Sequence, residues 1–164
     1  MSLNFLAEHA DAARIALDLA EREAKHLRYT WQTLYAEPID LAWVESLPDR
    51  EELAEKIDAF VSRFGRLQDH LGEKLLPSFA KLLGGQPKSL IDVLNFAERI
   101  GWITNSDAFV GARRLRNLLV YEYMNDASLF LDALLAAKPA TEMLFGILQN
   151  LRQEALSREF IRPE

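Results

Sequence analysis

The residues in this chain best suited to chemistry lie in one short run, Arg113-Arg114-Leu115-Arg116-Asn117-Leu118-Leu119-Val120-Tyr121-Glu122-Tyr123. Three guanidiniums offer fixed forks of donors that match phosphate or carboxylate oxygens and keep their charge at any physiological pH. Two phenols and an amide follow within two turns. On a helix, Arg116 and Tyr123 share one side, while Asn117 and Tyr121 stack a turn apart on an adjacent one. The plainer reading is a solvated helix end, where Arg116 complements the helix dipole and the tyrosines bury their rings but keep their hydroxyls wet. Leu115, Leu118 and Leu119 then supply the core contacts.

Periodicity supplies the elements that must hold this run. Leu6, Ala10, Ala13, Leu17, Ala20, Ala24, Leu27, Trp31 and Leu34 recur every three or four residues, which predicts a helix from about Leu3 to Tyr35. A connection with two prolines follows and packs Trp43 onto the bundle. Leu53, Ile57, Phe60, Phe64, Leu67, Leu71 and Leu75 then mark a second long helix, from about Asp49 to Leu83, with a kink at Pro77 and a stop at Gly84 and Gly85. Ser89 and Asp92 read as a helix start, and "LIDVLNFAERI" runs to Gly101. "TNSD" caps the helix carrying the arginines, about Asp107 to Tyr123. "MNDAS" turns the chain into a final helical region, about Ala127 to Arg158, which Pro139 kinks or divides. No segment alternates as a strand does. The expected fold is all-α, an up-and-down antiparallel bundle of about five helices forming a single domain over residues 1–164.

Composition narrows the function. The chain has 164 residues, no cysteine and a formal charge of −6. Thiolate sites and disulfides are excluded, and a surface that binds nucleic acid everywhere is disfavoured, although a local basic patch still suffices. Apolar runs are too short for a membrane span, and "MSLNFLAEHADAAR" lacks a basic start followed by an apolar core. The expectation is a soluble, unexported, cytoplasmic protein that does not contact membranes. Phosphate-loop, HExxH, GxSxG and calcium-loop motifs do not occur. His9, His26 and His70 share no ligand spacing, and Glu23 to His26 is a lone half of a carboxylate-bridged metal motif. Neither a metal nor an organic cofactor is implied. Arg63, Arg66 and Asp69 form a polar stripe on the second helix, expected to be solvated.

The run "RNLLVYEY", with the preceding "SLIDVLNFAERIGWITNSDAFVGARRL", resembles the HEPN superfamily and in particular the bacterial HepT-type proteins. Their pattern is Arg, usually Asn, three residues, then His-x-Tyr. The resemblance implies a helical bundle that dimerises with its motif helices face to face, so that two motifs line one cleft. It also implies an MNT-type nucleotidyltransferase partner in a toxin–antitoxin-like pair, and metal-independent ribonuclease chemistry in many members. Arg116, Asn117 and Tyr121 fall on the catalytic positions, Arg113 and Arg114 suit RNA or an acidic partner, and Tyr123 falls on the tyrosine that can accept AMP.

The histidine position, however, is held by Tyr121. Unperturbed histidine titrates at about 6.5, whereas a phenol at about 10 is ionised in only about one molecule in a thousand at neutral pH. Loss of a positioned proton-transfer group costs roughly 10²- to 10⁴-fold in rate. The leading expectation is therefore a HepT-like binding protein with a degenerate nuclease motif and Tyr123 as candidate AMP acceptor. The alternatives are an active ribonuclease toxin, with the Tyr121 phenol activated by the neighbouring arginines or His70 imported for proton transfer, and a helical scaffold without chemistry.

Overall fold

A computed structural model describes residues 5–163, and every described regular element is helical. A single 3₁₀ turn, Ala7–His9, leads into α1, Ala10–Leu34. Of the expected start near Leu3, residues 3 and 4 lie outside the described residues; Phe5 and Leu6 are not helical, and Leu6 lies on the surface rather than in the core. The connection contains α2, Leu41–Glu45, capped by the Asp40 carboxylate accepting from the Trp43 N–H at 2.8 Å, and a 3₁₀ turn at Leu47–Asp49. Val44 and Leu47 are buried there and Trp43 is half-buried against the core, as the sequence suggests.

The second long helix is α3, Glu51–His70, continued by a π-helical turn at Leu71–Leu75 and by α4, Leu76–Leu82. The irregularity expected at Pro77 thus appears one turn earlier. Proline has no N–H to return to the carbonyl four residues back, and its ring crowds that carbonyl; widening the preceding turn relieves both. The extra residue also keeps Leu71, Leu75, Leu76 and Phe79 all facing the core. Gly84, at φ 87°, ends this helix, and the Gly85 N–H donates to the Ala80 carbonyl at 2.8 Å. Ser89 caps α5, Leu90–Ile100, by accepting the Asp92 N–H at 3.1 Å. Asn105 caps α6, Ser106–Glu122, and Asp126 caps α7, Ala127–Ser157.

Pro139 does not divide α7, which runs through it as one helix. Carbonyls in the turn before the proline gain donors from the C-terminal end of α1: the hydroxyl of Tyr35, the residue that follows the helix, donates to Leu134 at 2.5 Å and the Trp31 indole N–H to Lys138 at 3.2 Å. Such outside donors help a helix keep its course where the ladder loses a bond.

Side-chain pairs establish the topology. Between α1 and α7, Arg152 reaches Glu21, Trp31 reaches Lys138 and Arg14 reaches the Phe160 carbonyl, so one numbering rises as the other falls. Between α3 and α6, Gly65 lies against Arg116 while Gly72, in the π-helical turn that continues α3, lies against Phe109, so this pair is antiparallel too. Contacts of α1 with α3 and of α6 with α7 close the ring. The four long helices therefore form an antiparallel up-and-down bundle, with α4 and α5 packed together across one end.

Phe60 and Phe64 stack within the bundle, while Phe79 packs edge-on against both Trp102 and Phe160 with ring centres 5.7 and 5.4 Å away. Phe79 is fully buried where α4 meets the segments after α5 and α7. Phe79→Ala is expected to lower unfolding stability by about 3–5 kcal/mol. Urea denaturation would show this as a fall in midpoint with the slope preserved.

Candidate functional site

Helix α6 buries a narrow stripe, Phe109, Ala112 and Leu119, against the bundle. Arg116 lies in the same stripe. Its side chain crosses α3 at Gly65, where a Cβ would stand 2.7 Å from the Arg116 Nε, and its Nη1 donates to the Asp69 carboxylate at 2.9 Å. Neighbouring Gln68, fully buried, donates its amide to the Ala112 carbonyl at 3.1 Å. Gly65 is thus a mid-helix glycine whose missing side chain makes room for a guanidinium. The one sequence signal for it was a glycine inside a strong helical pattern with no turn to explain it.

The polar stripe on α3 is not simply solvated. Asp69 holds Arg116, whereas Arg63 reaches the other way, to the His26 carbonyl and the Thr30 hydroxyl of α1. His70 shares the α1-facing flank of α3, seven residues beyond Arg63 and therefore in line with it. That placement separates His70 from α6, so it does not supply a proton-transfer group to Tyr121. Glu23 and His26 do not gather further ligands, and no cluster of three metal-binding side chains occurs among the described residues.

The remaining candidates divide between two faces. Tyr123 ends α6 and follows Arg116 along the α3 side; its ring sits 5.4 Å from that of Phe130 and lines a small cleft of about 140 Å³ with Val44, Leu47 and Pro48. Burial raises the pKa of its hydroxyl above the ordinary 10.0, and the carboxylates of Asp58 and Glu51 raise it further. These surroundings oppose phenolate formation, so the Tyr123 oxygen needs a base from elsewhere to act as an acceptor nucleophile.

Asn117 and Tyr121, by contrast, face outward. Tyr121 is 75% exposed, the largest exposure among the big hydrophobic residues of the described chain. Around it lie Arg114, Leu118, Val120 and Met124, all exposed. Leu118 therefore does not join the core as its spacing suggested. One copy of the chain consequently holds Arg116 on one side of α6 and Tyr121 on the other, and does not assemble them into a single catalytic cleft. Arg113 is half-buried and turns toward α4 and α5, separating it from Arg114.

Against known proteins, the chain matches no family model, no curated protein and no solved structure. No described helix is long and apolar enough to cross a membrane.

Two measurements probe this geometry. The Arg116 and Asp69 side chains are each about one-third exposed, so solvent screens the pair. Single and double alanine substitutions should reveal a coupling of about 0.2–1 kcal/mol by urea denaturation, and Gly65→Ala, which fills the space under Arg116, should bring it close to zero. For Tyr123, unfolded phenol ionises at its ordinary pKa while the folded form stays protonated to higher pH. Above about pH 10 the unfolded state therefore binds fewer protons, and stability falls as pH rises. Tyr123→Phe should make that alkaline decline shallower and leave stability near neutrality little changed, read from urea midpoints across the pH range.

Proposed function

We propose that the chain is a HepT-like HEPN protein that acts by binding, pairing with a second copy through α6 and engaging an MNT-type nucleotidyltransferase, with a weakened nuclease motif. The observation that carries this reading is the division of α6: an outward face bearing Asn117, Tyr121 and exposed Leu118 and Val120, with Arg116 folded onto Asp69 behind it. An apolar face on a bundle helix is a reason to seek a partner. Antiparallel pairing about Asn117 and Leu118 sets Arg114 of one copy opposite the partner's Tyr121, where guanidinium and ring attract. The two Asn117 side chains then meet at the centre.

Such a cleft contains amides, phenols and guanidiniums but no group titrating near neutral pH by nature, which supports binding over efficient RNA cleavage. Tyr123, on the α3 side of the helix and beside the small cleft, keeps the motif position of the AMP acceptor, and a nucleotidyltransferase would have to bring the base that its acidic surroundings require. The cytoplasm is the compartment this reading implies.

Light scattering should return twice the 18.7 kDa chain mass for the natural protein and the single chain mass for Leu118→Asp. A monomeric natural protein removes the pairing. Cleavage of labelled RNA without metal tests the chemistry: activity only in Tyr121→His identifies a cleft that lost its proton-transfer group. Cutting by the natural protein that Arg116→Ala abolishes would instead establish the active ribonuclease. Intact mass after incubation with ATP and the nucleotidyltransferase encoded beside it should rise by one AMP, and Tyr123→Phe should abolish the rise.

A further inference from the structure

We propose that a second site, in the groove between α4, α5 and α6, binds the phosphate groups of a nucleotide or of a phosphodiester strand. The groove encloses about 310 Å³ and brings together Lys81 of α4, Lys88 before α5 and Arg113 of α6. These cations come from three separate elements and converge only in the folded chain. Among the described residues none of the three has a carboxylate within 4 Å, whereas Arg14, Arg22, Arg50 and Arg116 each hold an acidic partner.

Three unpaired cations around one concavity, in a chain of net charge −6, repel one another unless an anion joins them. The only carboxylate lining the groove is Glu73, in the π-helical turn that forms part of its wall. Asp92, the nearest other acid in sequence, is engaged by the Lys88 backbone N–H at 3.1 Å and borders a different groove. Helix α5 also directs its positive end here through Ser89, which lines the groove.

The donor set suits phosphate. Arg113 supplies a planar fork for two oxygens, and the lysines act as movable point charges on the remaining ones. A polyphosphate or two successive phosphates can fill this volume, while a lone carboxylate would leave one or two of the cations without an anion. Arg113 precedes Arg116 by one helical turn and Glu73 follows Asp69 by one, so the groove continues along the seam where α6 meets α3. The site needs neither a second copy nor the nucleotidyltransferase, and its fate is separate from that of the pairing proposed above.

The test titrates the natural protein at low salt with sodium pyrophosphate and ATP by calorimetry, and with fluorescein-labelled single-stranded RNA by anisotropy. Binding of pyrophosphate or ATP without RNA identifies a nucleotide-type ligand, and binding of RNA alone identifies a strand; either supports the site if the groove variants weaken it. Replacing both lysines, Lys81→Gln with Lys88→Gln, should weaken the bound probe at least about tenfold, the scale of losing charge-assisted bonds. Arg113→Gln should act in the same direction, and Lys25→Gln with Lys56→Gln, an equal charge change on α1 and α3, should leave binding unchanged. For RNA, each lost contact should also reduce the salt slope by about 0.7. Circular dichroism checks folding, and the exposed lysine pair keeps the test intact if half-buried Arg113 proves necessary for it. Absence of binding to all three probes, or groove variants that bind as the natural protein or the control does, would overturn the proposal.

Discussion

The contact between Arg116 and the Gly65–Asp69 face of α3 sets the rotation of α6, and with it everything the outer surface can present. Apolar residues lie on both sides of α6, so hydrophobic burial alone leaves its orientation weakly specified. The guanidinium on Asp69 and the buried Gln68 amide on the Ala112 carbonyl settle it. Each bond is modest by itself. Together they act at adjacent turns of the same seam, where a rotated helix would leave Gln68 buried without a partner, a penalty larger than the bond is worth.

That rotation divides one short motif into two chemistries. Arg116 and Tyr123 look toward α3, an environment of carboxylates in which a cation is held and a phenol is kept protonated. Asn117 and Tyr121 look outward with Leu118 and Val120, where a surface can recognise a partner. Arg113, on the opposite edge of the outward face from Arg114, turns to α4 and α5. Three arginines within four residues therefore serve an internal ion pair, a basic groove and an exposed face respectively.

Much of the scaffold was legible beforehand. The three- and four-residue recurrence from Ala10 to Leu34 and from Ile57 to Leu75 marks buried positions because burial on one side of a helix forces that spacing. The caps at Ser89 and, within TNSD, Asn105 could be read because their oxygens satisfy N–H groups that every helix start exposes, whereas Asp126, read only as part of a turn, proves to cap α7. The prolines were less transparent. Pro77 and Pro139 remove the same hydrogen bond, yet one follows a widened π turn and the other lies within an unbroken α7. The difference lies in the packing: core positions on both sides of the widened turn must all point inward, whereas α7 receives donors from Trp31 of α1 and from Tyr35 just after it.

By itself the sequence determined the helical class, the order of the long helices and most residues of the apolar stripes, Leu6 and Leu118 excepted, since these follow from local hydrogen-bonding needs and from periodicity within single segments. It also identified Arg113 to Tyr123 as the richest concentration of functional groups. Only the tertiary structure decided which of those groups meet. Asp69 lies 47 residues from Arg116, and Lys81 and Lys88 lie on other elements from Arg113, so no local spacing relates them. Their proximity depends on how far each helix rotates and slides against its neighbours, which is the combined outcome of core packing, a glycine's missing side chain and pairing of buried polar groups.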